Sequence, residues 1–327
     1  MQANYKKILT ISIAAYNVEA FLDEALESCL SAIEFLDVIV VNDGSTDNTL
    51  SIASHWASRY PDSITVIDKP NGGYGSTINS SLKIARGKYF RYLDGDDWLD
   101  DELLPSYIEQ LMNCKADLFV TPYRRVYENE NPTETIDCLP YLPEGPVSPD
   151  RILADFPIAG CAMAYRTELL RSCGYSMTEN CFYTDLEYAY LPFMHIKSIY
   201  VSKLAIYKYR IGRVGQSVSV DGIRKHYKDT VRVCLRLITE MEFFGYGSAE
   251  YILHSVSREC CIAYAHLCTA GPTRSVKREL IRFDQRIKRD APEVYRLMPK
   301  ISKRVALLRY TCFMSWRLCC WQIRRGA

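Results

Sequence analysis

The sequence predicts an α/β fold, with a mostly parallel central sheet flanked by helices and a helical C-terminal region after it. Three observations lead there. Short apolar, β-branched runs alternate with stretches of helical spacing over the first hundred residues. Three of those runs end in polar residues, as expected where the carboxyl ends of parallel strands line a ligand site. Beyond Asp221 the strand signal stops and helical periodicity takes over.

The elements follow in order. Residues 8–15 form a β-branched run that ends at Tyr16-Asn17. Phe21, Leu22, Ala25, Leu26, Cys29 and Leu30 recur three and four apart, which is helical spacing. A buried strand at 36–41 ends at Asn42-Asp43-Gly44, and a helix is expected over 49–56. A third strand at 64–67, a third helix at 76–85 and a fourth strand at 89–93 complete the β-α-β-α-β-α-β order of a parallel sheet. Residues 128–150, rich in Pro, Glu and Asn, read as a long loop or irregular crossing, and 155–220 as mixed strands and short helices. Helices are expected at 223–243, 248–269, 274–289 and 300–325, broken at Gly245, Gly247, Gly271-Pro272, Pro292 and Pro299. A sheet-bearing domain over 1–220 and a helical region over 221–327 are the expected division.

Bulk properties narrow the function. The hydrophobic content of 48% and charged content of 24% are those of an ordinary globular enzyme. Residues 1–220 carry 19 Lys/Arg against 29 Asp/Glu, whereas 221–327 carry 21 against 10. The second region is therefore expected to face something anionic. The thirteen cysteines show neither CxxC pairs nor zinc spacing, and no signal-like run opens the chain, so free thiols and a cytoplasmic location are expected. No run of 18 apolar residues suggests a membrane span.

The chemistry concentrates at strand ends. Tyr92-Leu93-Asp94-Gly95-Asp96-Asp97-Trp98 brings three carboxylates within four positions at the end of an apolar strand. Like charges so close repel unless a cation intervenes, and oxygen-only ligands suit Mg2+ or Mn2+. The plainer alternative is a solvated acidic turn. Asp43 stands in Val40-Val41-Asn42-Asp43-Gly44-Ser45-Thr46-Asp47, either as an acceptor for a base or ribose or within a helix cap. Asn71-Gly72-Gly73-Tyr74-Gly75-Ser76 is a glycine-rich loop opening a helix, where backbone N–H groups can approach a ligand or simply turn. It matches neither GxGxxG nor GxxxxGK[ST], so no dinucleotide or Walker-type site is indicated.

Taken together, Ala14-Ala15-Tyr16-Asn17, then the run 40–49, then 71–79, then Ala85 to Trp98 resemble the inverting family-2 glycosyltransferases of bacterial type with the GT-A fold. The likeness is closest over 6–100 and looser to about 220. It implies a nucleotide-diphosphate sugar donor, UDP-linked, with Asp43 on the uracil, Asp94 on the ribose or metal, and Asp96 on the metal. It implies further donor contacts at Ala15, Tyr16, Asn17, Gly73, Asn79 and Gly95. An acidic residue about 90 positions after the metal motif serves as base in the family, and Asp185 in Cys181-Phe182-Tyr183-Thr184-Asp185-Leu186-Glu187 fits. Glu187 is the competitor, and a helix cap is the plainer role for Asp185. The run Tyr209 to Ser219 resembles a loop that closes over the diphosphate, placing Arg213, Gln216 and Ser217 on the donor, and His226 is a further metal candidate. Thr77-Ile78-Asn79 departs from the Ala-Arg-Asn of many relatives, so a donor-binding arginine is missing.

The expected partners are the donor, a glycan or lipid-linked acceptor in cell-surface polysaccharide synthesis, and no nucleic acid. Two rivals stand beside this reading: a nucleotidyltransferase, which would show a basic glycine loop after the first strand, and a non-catalytic nucleotide-sugar-binding protein. Residues 300–327 hold seven Lys/Arg and no acid, with apolar residues at helical spacing. Such a helix suits peripheral contact with the inner face of a plasma membrane, packing on the protein, or a homodimer interface.

Overall fold

The computed structural model describes residues 6–127, 133–212, 219–244 and 250–326. The chain divides into two compact units, Met1–Ile152 with Ile158–Arg213, and Leu153–Pro157 with Val214–Ala327.

The first unit begins with the expected alternation: β1 (Leu9–Ala15), α1 (Leu22–Glu27), β2 (Leu36–Asp43), α2 (Thr49–Arg59), β3 (Ile64–Lys69), α3 (Tyr74–Ile84) and β4 (Tyr89–Asp94). It continues through β5 (Trp98–Leu99), α4 (Leu104–Asn113), β6 (Leu118–Val120), β7 (Tyr123–Tyr127), β8 (Glu134–Ile136), β9 (Gly145–Val147), β10 (Met163–Arg166), α5 (Thr167–Ser172), α6 (Asp185–Tyr190), β11 (Ile199–Val201) and β12 (Tyr207–Ile211). The main sheet has the order β3-β2-β1-β4-β10-β6-β11-β9. Its first four strands are parallel, with Ile11 opposite Val38 and Ser12 opposite Tyr92. β1 and β2 are almost wholly buried, as β-branched strands covered on both faces must be. A second sheet, β5-β12-β7-β8, contributes two antiparallel pairs and one parallel pair.

Residues 128–150 differ from the long loop expected. Beyond the undescribed 128–132, they carry β8 in one sheet and β9 in the other. Each is three residues long, too short to show a periodicity.

The second unit is helical: α7 (Val220–Phe244), α8 (Glu250–Ala270), α9 (Arg274–Asp290), α10 (Pro292–Ile301), α11 (Lys303–Tyr310) and α12 (Trp316–Gly326). Tyr251, Val256, Cys260, Tyr264 and Leu267 of α8 supply much of its core. The single helix expected over 300–325 is instead the end of α10, then α11, then α12. Ser302 caps α11 by accepting from the Val305 N–H, and Cys312 and Phe313 take left-handed φ values of 47° and 61° between the last two. Pro292, read as a break, opens α10 at a position where its missing N–H costs nothing. Arg309 is turned inward, its Nε 2.6 Å from Asp284 Oδ1 and its guanidinium 3.6 Å from the centre of the Tyr295 ring.

Candidate active site

The carboxyl ends of β1, β2 and β4 lie side by side, since β1 pairs with both others in parallel register. At the end of β1, Ala15 is buried opposite Asn42, Tyr16 is exposed, and Asn17 turns with φ 51°. The Asn17 side-chain oxygen accepts from the Thr46 N–H at 2.8 Å, and its own N–H donates to Ser45 Oγ at 3.0 Å. These bonds knit the turn after β1 to the turn after β2.

Asp43 is buried and surrounded by donors. Its Oδ1 accepts from Lys69 Nζ at 2.6 Å, the Gly72 N–H at 2.9 Å and Ser76 Oγ at 3.3 Å, and its Oδ2 accepts from the Gly73 N–H at 2.9 Å. The glycine amides are thus committed to Asp43, where the sequence left open that they might face a ligand. Gly73 has φ +77°, a conformation that favours glycine.

The turn after β4 is built differently. The Gly95 N–H reaches the Ala14 carbonyl at 3.2 Å, and a Cβ at Gly95 would lie 2.8 Å from that oxygen, so the turn can press onto β1 only without a side chain. Asp97 points into the fold: Tyr207 Oη donates to it at 2.6 Å and the Arg210 N–H at 2.8 Å. Arg210 Nε donates to the Asp96 carbonyl at 2.8 Å, and the guanidinium stacks between Trp98 and Phe21. β12 therefore clamps the acidic turn. Burial, then the Asp94 and Asp96 charges, push the Asp97 carboxyl well above its usual range against the pull of Tyr207 and Arg210. Burial, then the Asp96 charge, push Asp94 up to about 7, with Asp185 adding to the rise. The Tyr74 hydroxyl is buried beside Asp94 and pulls its carboxyl down against this rise, while burial followed by the Asp94 charge holds the phenol well above its usual range.

Asp185 begins α6, just after Tyr183 with φ 62°. Its side chain is open to solvent, while the protein around it strips enough hydration to raise its carboxyl, opposed by the N–H groups of Asp185 and Leu186. The two facts are compatible: a group in a recess can be reached by a solute and still lose water on most sides. Glu187, the competitor, is buried and accepts from the Thr178 N–H and Oγ1, both at 2.7 Å, so it is a structural anchor.

Asn79 likewise holds the chain that leads to Asp185. Its amide oxygen accepts from the Met177 N–H at 2.7 Å, and its Nδ2 donates to the Met177 carbonyl at 2.9 Å and Glu179 Oε1 at 3.0 Å. The Asn180 N–H donates to the Gly72 carbonyl at 2.6 Å, and a Cβ at Gly75 would sit 2.2 Å from the Thr178 carbonyl oxygen.

The structure thus brings Asp94, Asp96 and Asp185 into one field. Arg213, Gln216 and Ser217 lie outside the described residues. His226 belongs to the second unit, with Nδ1 3.2 Å from Asp229 Oδ2. Among the described residues no three His, Cys, Asp or Glu side chains are gathered as a cation site. A divalent ion here would take carboxylate oxygen from Asp94 and Asp96 and draw its other ligands from phosphate and water, which is ordinary for Mg2+. The crowded, hard-oxygen pair fits such an ion, because it offsets the repulsion that raises Asp94. Sequence reasoning missed Tyr74, Tyr207 and Arg210. Tyr74 lies within the glycine motif, but nothing in its spacing announced its direction.

Comparison with known proteins bears on the site. A family profile described as Glycosyl transferase family 2 matches residues 10–174. An uncharacterized glycosyltransferase of Rickettsia prowazekii, RP339, is 28% identical over 77% of this chain and 80% of its own. The uncharacterized glycosyltransferase EpsJ of Bacillus subtilis is 34% identical over 34% of this chain, and the match spans only about a third (32%) of EpsJ. The minor teichoic acid biosynthesis protein GgaB of the same organism is 38% identical over 28% of this chain and 11% of its own length. Among solved structures, S. aureus TarS residues 1–349 with UDP-GlcNAc superposes with a TM-score of 0.70 at 18% identity, over 98% of this chain and 92% of that one. The mannosyltransferase PcManGT of Pyrobaculum calidifontis, with GDP-Man and Mn2+, gives 0.52 at 16% identity, over 97% and 86%. Both likenesses are of fold, which is that of the GT-A glycosyltransferases.

Proposed function

We propose a reaction for this chain, which belongs to glycosyl transferase family 2: transfer of a sugar from a UDP-linked donor to a hydroxyl of a glycan or lipid-linked acceptor, with inversion at the anomeric carbon. The observation that carries this reading is the convergence of Asp94 and Asp96 with Asp185, whose charge adds to the rise of Asp94. The UDP-GlcNAc held by TarS and the teichoic acid role in the name of GgaB support the donor and acceptor classes.

Tyr16 and Asn17 flank the nucleoside. Asp43 Oδ2, which takes one bond from the Gly73 N–H, keeps acceptor capacity for a base N–H. Gly73 and Gly95 shape the turns beside the donor, next to Ala15, with their amides held by Asp43 and the Ala14 carbonyl. Arg213, Gln216 and Ser217, outside the described residues, are assigned to the diphosphate by the family resemblance alone. Held by Asp94 and Asp96, Mn2+ or Mg2+ would supply Lewis-acid neutralisation of the leaving diphosphate, as the Mn2+ in PcManGT suggests. Asp185 accepts the proton of the acceptor hydroxyl while that oxygen bonds to the anomeric carbon and the bond to the diphosphate breaks on the opposite face. A carboxyl raised by its surroundings is a better base for this step than an ordinary one.

Melting of the full chain with UDP-, GDP- and dTDP-sugars, with and without Mn2+, tests the reading. A true donor stabilises by about 2.7 kcal/mol at a hundredfold excess over Kd. If no nucleotide sugar shifts melting in either condition, the donor assignment fails.

A further inference from the structure

We propose that the outer face of α11 and α12 docks on an anionic lipid surface. Val305, Leu308, Trp316, Cys319 and Cys320 are buried in the second unit and fix which way these helices face. Away from these buried groups, α11 exposes Leu307 and Tyr310, the latter at 89%, the turn after it exposes Met314 at 80%, and α12 exposes Leu318 and Trp321 at 49% each. Scattered exposed apolar residues are normal on a soluble protein, but five within fifteen positions are not. Tyr and Trp have an apolar body and a polar tip, which suits the boundary between headgroups and acyl chains.

The charge decides which occupant this face takes. From residue 294 onward the chain has no Asp or Glu. Lys300, Lys303 and Arg317 are exposed, while Arg309 is committed inward to Asp284. A second copy of the chain would set these same cations against one another across a two-fold interface with no acid to offset them. An anionic leaflet attracts each of them by roughly 1 kcal/mol. Among the described residues no helix is long and apolar enough to cross a membrane, so the contact is one of lying on the surface. The inference concerns the second unit alone and stands whether or not the donor assignment holds.

Co-sedimentation of the full chain with phosphatidylcholine vesicles, with or without about 30% phosphatidylglycerol, tests it. Binding to the anionic vesicles is expected, weakening as salt rises. Combined Tyr310→Ser, Met314→Ser and Leu318→Ser replacement should weaken that binding by about tenfold or more. The replaced side chains are exposed, so the variant keeps its melting temperature and any donor-induced shift, which separates this result from failure of the donor reading. Lys303→Glu with Arg317→Glu should weaken binding without touching the apolar row. No binding to anionic vesicles, or equal binding by the triple variant, overturns the proposal. So does a self-associated chain that the triple replacement turns into a monomer without any change in vesicle binding, because the face would then belong to a second copy.

Discussion

Two carboxylate sites stand on either side of β1 and are built in opposite ways. Asp43, ending β2, is met by four donors from Lys69, Gly72, Gly73 and Ser76. Asp94, ending β4, is buried beside the charge of Asp96, with that of Asp185 adding to the rise and the Tyr74 hydroxyl opposing it. The first organises a loop by being satisfied. The second is strained by its neighbours and relaxes only when a proton or cation arrives. An acidic residue at a strand end therefore says little about function until its donors are counted.

The largest effect expected concerns the residue that completes the second site. Asp185→Asn should lower sugar transfer by roughly 10²- to 10⁴-fold, the range of a lost general base, while donor and Mn2+ affinities in a melting titration stay within a few-fold. Weakened donor affinity equal to the loss of turnover would move Asp185 from proton transfer to binding. Next, Asp43→Ala should destabilise the metal-free protein by about 2–4 kcal/mol in urea unfolding, because it strands Lys69 and two amides. Asp96→Asn should cost less metal-free stability than Asp43→Ala, because it relieves repulsion on Asp94, and should abolish Mn2+-induced stabilisation. A large loss for Asp96→Asn would erase the contrast between the two sites.

The remaining effect is a pH slope. Asp94 is raised to about 7 in the folded chain from an unfolded value near 3.9, so the folded state holds the proton over that window. Its contribution is fully present below the unfolded value and is lost as pH climbs through about 7. Metal-free stability should fall from pH 5 to 8, Mn2+ should stabilise more at pH 8 than at pH 5.5, and Asp94→Asn should flatten both trends.

Much of the fold was legible because its first hundred residues satisfy several rules at once. β-branched runs, helical spacing and polar strand ends all agree from Leu9 to Asp94. The later strands were less readable, since β8 and β9 are three residues long and hold their places by pairing with distant partners. The break between α11 and α12 carries no glycine or proline, and two ordinary residues, Cys312 and Phe313, take left-handed angles there. At the site, Asp94 and Asp96 were readable as charges out of place, and Asp185 only through the family resemblance. What Asn79 and Glu187 do was not, because both grip the strip 177–179, about a hundred positions from the first and nine from the second. Arg210 was passed over for Arg213, although its aromatic stack and its bond to the Asp96 carbonyl tie it directly to the acidic turn.

The near-collision at Gly75 has a consequence for engineering. The carbonyl of Thr178 fills the space a methyl group would need, so even alanine at position 75 must move the strip that carries Asp185 by about an ångström or distort the start of α3. A library that varies the glycine loop to change sugar preference would then misalign Asp185, the proposed proton acceptor, as a side effect, and lost turnover in such variants would be mistaken for lost recognition.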